Sequence, residues 1–129
     1  MSMEVKNPKK DYVFQVLLYD EKSDEGYRRV TALIRNGCFF IMQRTNADPD
    51  FVRCDLDRET TIAFLNSLPC MEEAFPAGEP ADLAEQNRLL HTWTEDLLHT
   101  IHETFAGSDA LERWERYCEA RGFGWSTKY

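Results

Sequence analysis

The sequence predicts an α+β fold: an antiparallel β-meander of three to four strands followed by three α-helices. Three observations carry this. Up to about residue 54, apolar residues alternate with period two between turn signals; beyond Asp57 they recur with the 3.6-residue period of helices; and the strands come first as a group, with the helices after them. With 129 residues, 43% of them hydrophobic, the chain is long enough for one core that buries roughly two-thirds of its unfolded surface. A single domain over residues 1–129 is expected, with residues 1–10 as a polar arm.

Tyr12–Tyr19 (YVFQVLLY) reads as a first strand, apolar on both sides and therefore central in the sheet. Asp20–Gly26 reads as an exposed charged loop. Arg28–Thr45 then forms a hairpin about Asn36-Gly37, the dipeptide best suited to a type I′ turn because both of its central residues need positive φ. That turn sets Arg35 opposite Cys38, Ile34 opposite Phe39, Leu33 opposite Phe40, Ala32 opposite Ile41 and Thr31 opposite Met42. One face of the hairpin carries Val30, Ala32, Ile34, Phe39 and Ile41; the other carries Leu33, Cys38, Phe40 and Met42, rimmed by Arg29, Arg35 and Arg44. A one-sided sheet is polar on its second face, so this second apolar set predicts a cover. The cover expected is a second copy of the chain, packed through the sheet face as a two-fold homodimer; helices on both faces are the alternative. Pro49 ends the hairpin's return, and Phe51–Cys54 reads as a short fourth strand.

Asp55 or Asp57 is the expected N-cap of a first helix with an apolar stripe of Ile62, Ala63, Phe64, Leu65 and Leu68, stopped by Pro69. Pro69–Ala81 reads as a loop with one turn at Met71–Phe75. A long second helix follows from Asp82 to about Phe105, opened by Asp82 and Glu85 in a capping-box spacing, with Leu83, Leu90, Trp93, Leu97, Leu98, Ile101 and Phe105 on one side. Ser108 is expected to cap a third helix carrying Ala110, Leu111, Trp114, Tyr117 and Cys118, and Gly122 to end it with Phe123 against Cys118.

The charge is uneven. Net −8 overall divides into nine basic and ten acidic residues up to Asp57, then six and thirteen after it. An acidic helical half argues against a nucleic-acid partner. The N-terminal sequence lacks the apolar core of a secretory signal, no apolar run approaches the ~20 residues of a membrane helix, and four cysteines without a Cys-x-x-Cys pair read as reduced thiols. A cytoplasmic protein without a membrane partner is expected.

His91, Glu95, His99 and His102 project to one side of the expected long helix, the only arrangement resembling a metal or enzymatic site. Its spacing matches neither His-Glu-x-x-His nor the inverse. Gly-x-Ser-x-Gly and phosphate-cradling glycine loops are absent. The sequence therefore predicts no catalytic residue, metal or cofactor, and favours a protein-binding role; a small enzyme or metal-binding domain on the histidine helix is the alternative. In general character the chain resembles bacterial immunity proteins, antitoxins and small phage-type inhibitors, which implies a protein partner and carries over no residue role. On that reading the acidic residues Glu95, Asp96, Glu103, Glu112, Glu115 and Glu119 meet a basic partner, and Arg29, Leu33, Arg35, Phe40, Met42 and Arg44 form a second interaction surface.

Overall fold

The computed structural model describes residues 13–24, 26–45, 51–69 and 83–128. It is α+β, with strands β1 (Val13–Ser23), β2 (Gly26–Arg35), β3 (Cys38–Thr45) and β4 (Phe51–Asp55), helices α1 (Arg58–Ser67), α2 (Leu83–Thr92), α3 (Thr94–Phe105) and α4 (Ala110–Arg121), and a closing strand β5 (Ser126–Lys128). The sheet is an antiparallel meander in the order β1-β2-β3-β4-β5. The described residues therefore contain one strand more than the three to four, and one helix more than the three, that the sequence predicts. The turn expected at Met71–Phe75 and the Asp82 cap lie outside the described residues.

The hairpin follows its dipeptide. Asn36 and Gly37 have φ of 53° and 79°, and every predicted cross-strand pair from Arg35↔Cys38 to Thr31↔Met42 is present. Gln86 of α2 holds the tip, its amide donating to the Gly37 carbonyl at 2.9 Å while its oxygen accepts from Arg58 Nε at 3.0 Å.

The first strand differs from its prediction in position and length. β1 is an edge strand, and it continues through the residues expected to be loop until Ser23 pairs with Gly26. Its two-sided apolar pattern has another cause: the register shifts between Leu17 and Tyr19, a β-bulge at Leu18. The extra residue lets Leu18 stay buried and Tyr19 pack beside it, while Leu17 points the other way and is 46% exposed. The Leu18 carbonyl accepts from the Gly107 amide at 3.1 Å, so the α3–α4 connection is fastened to the bulge.

Asp57 is the N-cap of α1, its Oδ1 accepting from the Thr60 amide at 2.7 Å. Ala63, expected on the apolar stripe, faces solvent, and Thr61 is buried instead because its hydroxyl accepts the Phe39 amide at 2.9 Å just beyond the end of β4. The long helix is two helices, α2 and α3, interrupted at Trp93. Thr92, Trp93 and Thr94 are weak helix formers, and the Thr94 hydroxyl donates to the carbonyls of Leu90 and His91, a side-chain bond that competes with the helical ladder and bends it. Asp109 rather than Ser108 holds the N-cap position of α4, without a side-chain capping bond. The end of α3 is closed from α4 by Arg113, whose guanidinium donates to the carbonyls of Thr104 and Ala106. Gly122, at φ 76°, ends α4 in a Schellman motif, with Phe123 N bonded to the Cys118 carbonyl. The tail, given no structure by its sequence, then turns back and pairs along β4.

All four described helices contribute to one buried cluster on one face of the sheet. Phe14, Val16, Val30, Ala32, Ile34, Phe39 and Ile41 supply the sheet side, and Phe64, Leu97, Ile101, Phe105, Trp114 and Cys118 the helix side. Phe39 is its hinge point, with ring centroids 4.7 Å from Phe64 and 5.7 Å from Trp114. Among the described residues no helix covers the opposite face.

Candidate interaction surface

Pairing fixes which side chains share that opposite face, because residues directly across a ladder point the same way. β1 contributes Gln15, Leu17, Asp20 and Lys22; β2 contributes Tyr27, Arg29, Thr31, Leu33 and Arg35; β3 contributes Cys38, Phe40, Met42 and Arg44. Phe51, Arg53 and Asp55 continue it on β4, and Ser126 and Lys128 on β5. Leu33, Phe40 and Met42 are only partly buried and stand outside the core cluster. Leu17 with these three makes an apolar centre, and cations surround it.

The arginines lie against aromatic rings. Arg53 sits 4.6 Å over Phe40, Arg44 5.5 Å over Phe51 and Arg29 5.8 Å over Tyr27, contacts worth about 0.5–1 kcal/mol each where exposed. Arg53 also grips Asp55 bidentately at 2.7 and 2.8 Å, and Lys128 approaches the same carboxylate at 3.5 Å. Burial pushes the Asp55 pKa up, but these two cations outweigh it and hold the group below the usual carboxylate range. Arg29 and Arg44 are direct cross-strand partners. Like charges so placed repel, and among the described residues Asp20 alone, 3.5 Å from Arg29, opposes them. Arg35 and Arg44 have no carboxylate partner among the described residues. Its described residues set Lys22, Arg29, Arg35, Arg44, Arg53 and Lys128 against Asp20 and Asp55, a local positive surface on a chain of net −8.

The acidic residues singled out in the sequence divide. Glu95, Asp96 and Glu103 are exposed on α3, and Glu112 and Glu119 on α4, with Arg116 one turn from each of the latter. Glu115 is turned inward toward the sheet, 3.8 Å from the Cys54 sulfur. The break at Trp93 places His91 on α2, apart from Glu95, His99 and His102 on α3. All three imidazoles are on exposed residues, and among the described residues no group of three or more potential ligands converges.

Three cysteines are described, and burial pushes up the pKa of each. Cys54 reaches about 11 and Cys118 about 12, while at Cys38 the lowering effect of Arg58 is smaller than that of burial. Raised pKa values keep these thiols protonated, the reverse of what nucleophilic catalysis requires. None of the described helices is long and apolar enough to cross a membrane.

Arg29, Leu33, Arg35, Phe40, Met42 and Arg44 share one face, as their alternation predicts, and Leu17, Lys22, Arg53 and Lys128 join them there without having been read from the sequence. Arg53 follows from parity once β4 is paired to β3. Leu17 is masked by the bulge, Lys128 belongs to a three-residue strand with no alternation to read, and Lys22 lies in what read as loop. No family model matches the chain, and no curated protein and no solved structure is found similar to it.

Proposed function

We propose that this chain is a protein-binding protein without catalytic chemistry of its own, of the immunity, inhibitor or antitoxin kind, and that the outer face of its sheet receives the partner. The observation that supports it most is the placement of all four described helices against one face, which leaves Leu17, Leu33, Phe40 and Met42, ringed by arginines, uncovered by any of them. Binding surfaces favour this composition: aromatic, Met and Arg side chains, an apolar middle and a charged rim. The exposed carboxylates of α3 and α4 give a second reading, in which a basic partner meets Glu95, Asp96, Glu103, Glu112 and Glu119.

The test is to capture the partner from the native host, reconstitute the purified pair, and compare Phe40→Glu with Glu112→Lys. Loss of binding in Phe40→Glu alone, with the fold intact by circular dichroism, supports the sheet face. Loss in Glu112→Lys alone moves the site to the helices. Turnover by the isolated chain that survives Phe40→Glu overturns the non-catalytic reading.

A further inference from the structure

We infer that the partner segment received by the outer sheet face is anionic, a protein stretch in which Asp or Glu side chains flank apolar ones, with a carboxylate seated between Arg29 and Arg44. The inference rests on the function proposed above and names the chemistry of the partner. Arg29 and Arg44 occupy directly opposed positions on β2 and β3, the placement at which like charges destabilise a sheet. Each is exposed, and each is carried over an aromatic ring, Tyr27 and Phe51 respectively, which holds the two guanidinium planes in position. Asp20 reaches only Arg29, and at a long 3.5 Å. Among the described residues the pair is thus one carboxylate short of balance, and guanidinium groups are the donors best shaped to take one bidentately.

The rest of the face has the same sign. The chain is acidic overall, yet the described residues of this surface include six cations and two carboxylates, so complementarity asks for a negative partner at the rim and apolar side chains over Leu17, Leu33 and Met42. A second copy stacked face to face would set the cationic surface against itself. Nucleic acid is also anionic, but the apolar centre offers it no row of exposed rings: the Phe40 ring is already covered by Arg53.

A displayed library of random dodecapeptides, selected on the purified chain in moderate salt, reads the preference directly. The expected result is enrichment of sequences combining Asp or Glu with Leu, Phe or Trp, with retention falling roughly tenfold or more in Arg44→Glu and by less in Arg44→Lys, which keeps the charge but not the guanidinium fork. Arg44→Glu should leave thermal stability unchanged or raised, because it replaces a repulsive cross-strand pair by an attractive one. A residue with a merely structural role would lose stability instead. Enrichment of Lys- and Arg-rich peptides, no enrichment, or acidic peptides held equally by Arg44→Glu would overturn the inference. So would tighter binding of fluorescent dT12 than of the selected peptides, or sedimentation showing a dimer that Arg44→Glu strengthens. If the native partner is lost with Glu112→Lys and kept by Arg44→Glu, protein binding stands and this assignment falls.

Discussion

Phe39 and Phe40 are neighbours in one strand, carry the same side chain, and lie on opposite faces of the same sheet. Phe39 has no exposed surface and touches Phe64 and Trp114; Phe40 is partly exposed, outside the core cluster, and lies beneath the Arg53 guanidinium. The difference teaches that hydrophobicity in this hairpin has two uses. On one face it is matched by helices and builds the fold. On the other it is matched by arginines, which cannot drive burial but can hold a surface open and soluble.

The largest effect that would break this comparison is a mutational one. Phe39→Ala should cost about 3–5 kcal/mol, the usual loss for a buried phenylalanine, whereas Phe40→Ala should cost under about 1 kcal/mol. Urea unfolding of the two variants measures both, and equal losses would mean that the outer face is as packed as the inner one. Next is the turn that separates the faces. Gly37→Val places a β-branched residue at φ 79°, and a loss of roughly 2–3 kcal/mol is expected. A smaller effect sharpens the account of the inner face through pH. Folding raises the thiol pKa of Cys54 to about 11 and of Cys118 to about 12, so the folded chain keeps protons that the unfolded chain releases from about pH 9 upward. Stability should be full below pH 9 and fall as the pH climbs toward about 12. Cys118→Ala should flatten that fall, and an unchanged alkaline slope would show that the thiols are not its source. Smallest is the α1 cap: Asp57→Ala should cost about 1 kcal/mol in the same urea assay.

The legible parts of the molecule are those governed by local chemistry. Asn36-Gly37 dictates φ and with it the register of both faces; Asp57 and Gly122 act through their own backbone neighbourhoods. What stayed hidden depends on distant partners. The bulge at Leu18 has no composition of its own and is fastened by Gly107, far along the chain. Strand β5 exists because β4 offers it an edge, which nothing in Ser126–Lys128 itself announces. For the candidate surface this meant that the central residues were readable from alternation alone, while Arg53 and Lys128 became visible only once the strands carrying them were paired.

Hydroxyl-radical footprinting of the free chain at low micromolar concentration, read residue by residue by mass spectrometry, tests the two-faced sheet most directly. The expected result is ready oxidation of Leu17, Phe40 and Met42 together with protection of Phe14, Phe39 and Trp114. Protection of Phe40 and Met42 equal to that of Phe39 would contradict it, since the outer face would then be covered in the free protein and closed to a partner.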